Sequence, residues 1–365
     1  MTRVLTDQVR TLFAPPQYMT PPLAGIDLSV SGVKAVRLAP SLHGLILKDY
    51  AEVLLPVGAF ADGEVVDHKA VNDALVEAAK KTRISSANVA LPEAKSYLFE
   101  ASATGATKEE LRTSIEQHLD EFVPLPPSET MFDFAEIGKH KDGSTLVAGM
   151  GFARRIVDDT LATFDGAHIR ARALEGETFA SSRALMRADD ESTILIIDVG
   201  KTTTKLSVVT RRIPRFATTI NIGGHALTLA VQKYFGVTEE EARKVKAEKG
   251  IVPAEGNEEY LDAMLSTVSA IRDEISRHLD YWQQRVANGG LHEPVSRAVL
   301  VGGNASVRGL AEYLEGSLRI PVAAGDVFLN LASRDTWVPA LDYTESLAYA
   351  TAVGLALRDR SENYA

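Results

Sequence analysis

The feature that most narrows the fold is a strand–turn–strand segment that occurs twice. LAGIDLSVSGVKAVRL, starting at Leu23, and STILIIDVGKTTTKLSVVT, starting at Ser192, share one layout. Each has an apolar run ending in an aspartate, a tight turn of small and hydroxyl residues, and a second strand-like run with alternating apolar positions. Ile26–Asp27 aligns with Ile197–Asp198 and Lys34 with Lys205, so both Asp-to-Lys separations are seven residues. An acidic residue where a buried strand meets a turn, repeated at one spacing, predicts a duplicated α/β architecture with two facing halves.

The chain has room for this. Its 365 residues allow two or more domains, and 45% hydrophobic with 24% charged residues is ordinary globular usage. A net charge of -10 argues against a nucleic-acid partner, whose phosphates are bound mainly by Lys and Arg. Without cysteine there is no disulfide framework, zinc ribbon, iron–sulfur cluster or thiol nucleophile. No run approaches the ~18–20 apolar residues of a membrane span, and the N-terminus lacks the pattern of a signal peptide. A soluble chain with no direct membrane span is expected.

Residues 1–22 stand apart. Leu5, Val9, Leu12 and Phe13 lie on one face of a short helix that Pro15, Pro16, Pro21 and Pro22 forbid from continuing. Such a segment must dock, on its own domain or on a partner or membrane. From Leu23 to about residue 91 the pattern is one α/β layer, with a helix through Val71, Leu75, Ala78 and Ala79 and a strand at Ser86–Leu91. Residues 92–170 read as a second, smaller unit. It opens with a capping box from Thr107 to Glu110 and a helix continuing through Leu111, Ile115, Leu119 and Phe122. Two strands follow around a turn at Asp142–Gly143, and a helix through Ile156, Leu161 and Phe164 closes the unit. The remainder reads as strands, helices across Thr238–Glu248 and Asn257–Ala287, a strand AVLVGG, and a helix with Val307, Leu310, Leu314 and Leu318 on one face.

The chemistry sits in the turns. Ser29, Ser31 and Gly32 in the first, and Gly200, Thr202, Thr203 and Thr204 in the second, would let backbone N–H groups approach an anion while hydroxyls add donors. Two such turns can grip a polyphosphate from both sides. Asp27 and Asp198 would then face the phosphates, which requires a divalent cation between them, and Mg²⁺ suits a site of few carboxylates, waters and phosphate oxygens. The alternative is a pair of ordinary hairpins whose aspartates cap their turns. Gly302–Gly303 before Asn304, and Gly223–Gly224, add two breaks where backbone can approach a flat or anionic ligand. Gly200-Lys201-Thr202 is not a Walker A, because Leu195 stands where that motif needs glycine. The histidines show no metal-binding pairs, and Glu239–Lys249 reads as a solvated helix face.

Taken together, GIDLSVSGVK, LIIDVGKTTTKLSVV, INIGGHALT and VLVGGNASVRGL resemble the phosphate-1, phosphate-2, connecting and adenosine motifs of the actin-like ATPase superfamily. More narrowly, the chain resembles the type IV pilus assembly PilM family, relatives of the cell-division protein FtsA. LDEFVPLPPSETMFDF, GVTEEEARKVK and AYATAVGLALR are similar to family segments, and the resemblance covers about Leu23 to Arg358. It implies an α/β, actin-like (ribonuclease H-like) fold of two halves with an FtsA-type inserted subdomain. The halves would be 23–91 with 171–190, and 191–365 with a sub-unit at about 225–290; the insertion would be 92–170.

The resemblance further implies ATP and Mg²⁺ in the cleft. It implies a scaffold at the cytoplasmic face of the inner membrane that grips the cytoplasmic N-terminal tail of a single-span PilN-like partner at the small unit, with possible self-association. Carried onto this chain, Asp27, Ser29 and Ser31 would form phosphate-1, and Asp198, Gly200, Thr202 and Thr203 phosphate-2. Gly223 and Gly224 would border the site, Gly302, Gly303 and Arg308 would lie at the adenosine end, and Lys246 would reach the nucleotide. Glu175 and Glu177 occupy the segment where related ATPases orient water, and at most slow hydrolysis is expected. Ser29 departs from the family's usual glycine, and Arg243 stands where an acidic residue is expected. A filament-forming FtsA-like protein and a small-molecule kinase are the competing readings.

Overall fold

The computed structural model describes residues 23–289 and 291–361, so the amphipathic segment through Leu5, Val9, Leu12 and Phe13 lies outside the described residues. The first half begins with a meander of β1 (Leu23–Ser29), β2 (Gly32–Ser41) and β3 (Gly44–Leu54). It continues through a two-residue hairpin, β4 (Phe60–Ala61) and β5 (Glu64–Val65), to α1 (His68–Thr82) and β6 (Ser86–Leu91). Five consecutive residues of β1 are buried, as expected of a strand covered on both faces. Asp67 starts α1 by accepting the Ala70 N–H, and Val71, Ala74, Leu75 and Ala78 supply its buried stripe.

The inserted unit follows as β7 (Ser96–Ala103), α2 (Lys108–Glu116), β8 (Thr130–Lys139) and β9 (Thr145–Ala153). Its three strands pair in the order β7-β9-β8, over a core that includes Phe99, Leu111, Ile115, Leu119 and Val147. The Thr107–Glu110 capping box is formed in both directions. The expected long helix is not: α2 ends at Glu116, the backbone leaves helical geometry at His118, and Leu119 reaches the same core from a separate 3₁₀ turn.

After the insertion come α3 (Arg154–Gly166), β10 (Arg170–Gly176) and α4 (Glu177–Leu185). The sequence reading placed α3 in the small unit, but its Phe164 is fully buried in the first half's core with Ile26 and Val89. It runs between two parallel strands, β6 and β10, while its Val157 packs against Met150 and Phe152 of β9.

The second half contains β11 (Thr193–Val199), β12 (Thr204–Thr210), β13 (Ile213–Ile220), α5 (Gly224–Phe235), α6 (Glu239–Lys249) and α7 (Glu258–Ala287). It ends with β14 (Arg297–Val301), α8 (Leu310–Leu318), β15 (Val322–Ala324) and α9 (Ala350–Ser361). Tyr260, Met264, Val268, Ile271, Ile275, Leu279 and Trp282 recur at three- and four-residue steps down α7 and form its buried seam. The two large sheets have the same plan: β10-β6-β1-β2-β3 and β13-β12-β11-β14-β15. In each, three antiparallel strands are extended by two strands parallel to the first. The halves meet where α4 crosses α9 and where α9 lies on β1. A side-chain carbon on Gly354 would lie 1.7 Å from the Ala180 carbonyl oxygen, and one on Gly25 would lie 2.1 Å from that of Ala352.

Candidate functional site

The two hairpin tips are built alike and point into one cavity. In β1–β2, Asp27 pairs with Lys34 and Ser29 with Gly32, leaving Val30–Ser31 as a two-residue turn. In β11–β12, Asp198 pairs with Lys205, and the Gly200 N–H donates to the Thr203 carbonyl at 2.9 Å, leaving Lys201–Thr202 at the tip. Directly paired residues on a ladder point to the same face, so each half sends an aspartate and a lysine the same way. Between the tips lies a cavity of about 600 Å³, within the range of small-molecule and cofactor sites.

Ser29, Ser31, Gly200, Thr202, Thr203, Gly302 and Gly303 all line this cavity, together with Asp27, Asp198 and Glu177. The Ser29 hydroxyl closes its own turn by donating to the Gly32 carbonyl at 3.2 Å, and it lies 2.9 Å from the Ser31 hydroxyl. Lys34 Nζ donates to Ser31 Oγ at 3.1 Å and pairs with Glu52 at 3.2 Å. Gly302 follows β14 with φ +95, and a side-chain carbon there would stand 2.3 Å from Asp198 Oδ1. The loop after β14 thus lies against Asp198 because residue 302 has no side chain.

Electrostatics make the cavity hungry for a cation. Asp27 is buried, and loss of solvent, reinforced by Glu177, pushes its carboxyl up to about 6. Burial raises Asp198 as well, with Glu177 adding to the effect. Lys205 is raised: burial opposes its charge, but Glu177, Asp198 and Asp27 outweigh the burial. Asp27 Oδ1 is a buried oxygen with no hydrogen-bond partner, so Asp27 does not use that atom to cap its turn. Among the described residues no cluster of three or more His, Asp and Glu side chains could hold a metal alone. The donor set therefore fits a cation that brings most of its ligands with it, as Mg²⁺ does with phosphate oxygens and water.

Some expected site residues lie elsewhere. Glu175 pairs with Arg183 and, at 3.8 Å, with Arg358, and it does not line the cavity. Arg308 is exposed and donates to the Glu248 carbonyl at 2.8 Å, outside the cavity. Lys246 is buried rather than part of the solvated face, and its Nζ donates to Gly224 O, Thr228 Oγ1 and Asn304 Oδ1 at 3.1, 3.1 and 2.7 Å. Burial, with Arg243 adding to it, lowers its ammonium to about 8. With three donors and three acceptors it fastens α6 to the site's frame instead of reaching into the cavity. Gly223 and Gly224 lie beneath the second tip: the Gly224 N–H donates to the Gly200 carbonyl at 2.9 Å, and a side chain at 224 would collide with Asn304.

Asn304 was underrated by sequence reasoning. It lines the cavity, donates to the Gly200 carbonyl at 2.9 Å, and accepts from Lys246, so it joins the second tip, the β14 loop and α6. Glu93 was missed. It is buried with its carboxyl raised, chiefly by burial, and its backbone N–H lies 3.4 Å from Glu177 Oε1. The contacts that place them, Gly200 and Lys246 for Asn304 and Thr178 for Glu93, are remote in sequence.

Comparison with known proteins bears on the family and the fold. The family model of the type IV pilus assembly protein PilM matches residues 25–360. Among solved structures, the PilM-PilN type IV pilus biogenesis complex is similar at 20% identity, over 92% of this chain and 97% of that one, with a TM-score of 0.75. MreB5 of Spiroplasma citri bound to ADP is similar at 14% identity, over 94% and 97%, with a TM-score of 0.57. The fold is the actin-like α/β fold, and the chain belongs to the type IV pilus assembly protein PilM family.

Proposed function

We propose that the chain is an ATP-binding scaffold of a type IV pilus inner-membrane assembly platform, working at the cytoplasmic face and holding the cytoplasmic tail of a PilN-like single-span protein. The observation that carries the nucleotide reading is the pair of matched hairpin tips closing on a cavity that contains the unpartnered buried oxygen of Asp27. The phosphates would lie between the Ser29–Ser31 and Gly200–Thr203 turns, with the base toward Gly302–Gly303. Mg²⁺, held through water by Asp27 and Asp198, would supply the positive charge that the acidic cavity needs beside a polyphosphate. By this reading, residues 23–91 and 154–190 form one actin-like half, 92–153 the inserted subdomain, and 191 onward the second half with its sub-unit at about 225–290.

For the partner's tail, the seat we assign is a second cavity of about 590 Å³ between β7 and β13. Both are edge strands of their sheets, so both have unpaired backbone groups that an extended peptide can use. This groove and the nucleotide cavity share Ala94, Thr219 and Asn221 as a common wall.

Two measurements test the reading. Millimolar Mg·ATP should raise the melting temperature, and no rise in the wild type would sink the nucleotide assignment. A synthetic PilN-type N-terminal tail should co-purify with the protein and slow amide exchange in β7 and β13; absence of both effects would sink the partner assignment.

A further inference from the structure

Of the carboxylates that line the cavity, Glu177 is held by a cation from the opposite half. Glu177 opens α4 in the first half, and its Oε2 is in direct contact with Lys205 Nζ of the second half. The other oxygen, Oε1, lies 3.4 Å from the Glu93 N–H. Both oxygens therefore face donors, and Glu177 is 6% exposed. A general base needs a lone pair turned toward the water it deprotonates, and both Glu177 oxygens are turned toward donors instead.

The two halves differ at this point. Ala180 of α4 touches Gly354 of α9 where the helices cross. Three residues before Ala180 stands Glu177, and three residues before Gly354 stands Thr351, which also lines the cavity. Lys34, the counterpart of Lys205 by ladder register, thus has no acidic residue at the equivalent helix start, and pairs with Glu52 on its own sheet. Only the second-half lysine bridges the halves at a helix start.

We propose that Lys205 is a positioning residue that holds Glu177 away from water, so that the cleft retains its nucleotide instead of hydrolysing it. This rests on the nucleotide-binding reading above. The suppressed reaction is hydrolysis of the terminal phosphoanhydride. A bond forms from water oxygen to the terminal phosphorus, and the bridging P–O bond breaks with its electron pair going to the nucleoside diphosphate. The water proton passes to the base, which Lys205 keeps engaged.

The test compares the full-length wild type with Lys205→Met and Lys205→Arg, measuring phosphate release from Mg·ATP and the melting-temperature rise that Mg·ATP produces. Lys205→Met should release phosphate at least about tenfold faster while keeping the rise, as a general base contributes roughly 10²–10⁴-fold when free. Lys205→Arg should stay at the wild-type rate, and Lys205→Met/Glu177→Gln should fall back to it. A Lys205→Met protein that binds Mg·ATP with no faster release overturns the proposal, as does a double variant that stays fast. Should Lys205→Met fail to fold, a crystal structure of the wild type with Mg²⁺ and a non-hydrolysable ATP analogue decides. Glu177 still on Lys205 supports the proposal, and Glu177 swung onto a water beside the terminal phosphate overturns it. A wild type whose melting temperature ignores Mg·ATP removes the nucleotide reading and this proposal together, an outcome distinct from a binding protein with unchanged turnover.

Discussion

Asp198 stands directly opposite Lys205 on the β11–β12 ladder, in the register that sets Asp27 opposite Lys34 on β1–β2. The seven-residue spacing in the sequence is thus the geometry of a two-residue turn with its third flanking pair on each side. Asp198 should accordingly matter to ligand more than to fold. Binding to the native state stabilises it by RT ln(1 + [L]/Kd), about 2.7 kcal/mol at a hundredfold excess over Kd. Asp198→Ala is expected to abolish the Mg·ATP melting shift while leaving a cooperative transition, read by scanning fluorimetry. A full shift in the variant would remove Asp198 from the site.

Acid should stabilise the free cavity. Because Asp27 titrates at about 6 in the folded protein against an ordinary 3.8, the native state keeps a proton that the unfolded chain has released between those values. Its contribution is complete below about pH 4 and is lost as pH rises through about 6. Asp27→Asn should therefore stabilise the nucleotide-free protein at pH 7.5 by up to about 3 kcal/mol and flatten its pH dependence. Urea unfolding at pH 4.5 and 7.5 checks both; a destabilised variant at pH 7.5 would contradict the burial argument.

Glu100 ties the insertion to the second half. Glu100 on β7 accepts from Arg215 on β13, from Arg285 on α7 at 2.9 Å, and lies 2.9 Å from His292 Nε2. Arg215 is only 5% exposed and has the Leu291 carbonyl, at 3.3 Å, as a further acceptor, so removing Glu100 leaves a buried charge without its counter-ion. Glu100→Ala is expected to cost about 3–5 kcal/mol and to speed amide exchange in β7. A loss under about 1 kcal/mol would mean that the guanidinium finds water or another acceptor.

At the crossing of the halves, Gly354→Val would drive its side chain into the Ala180 carbonyl, 1.7 Å from an ideal Cβ. Backbone cannot yield as a flexible side chain can, so destabilisation of at least about 3 kcal/mol is expected in thermal unfolding. Leu355→Met, a volume-conserving change at the neighbouring buried position, should cost less than about 1.5 kcal/mol and serves as the comparison.

What the sequence determined by itself was local. The repeated Asp–Lys segments gave the two hairpins, the Thr107–Glu110 box gave a helix start, and the Gly302–Gly303 pair marked a loop at the cavity, because each depends on residues near one another in the chain. Tertiary structure decided what those segments met. Lys246 lay in a run that reads as a solvated face, yet α6 packs so that its ammonium is buried on Asn304; Phe164 sat beyond the small unit's strands, yet filled the first half's core. Glu175 and Glu177 are two residues apart and equally acidic, but β10 ends between them. One was sent to Arg183 outside the cavity and the other to Lys205 within it. Such outcomes turn on which remote charge or apolar surface arrives, and burial fixes that only when the whole chain has folded.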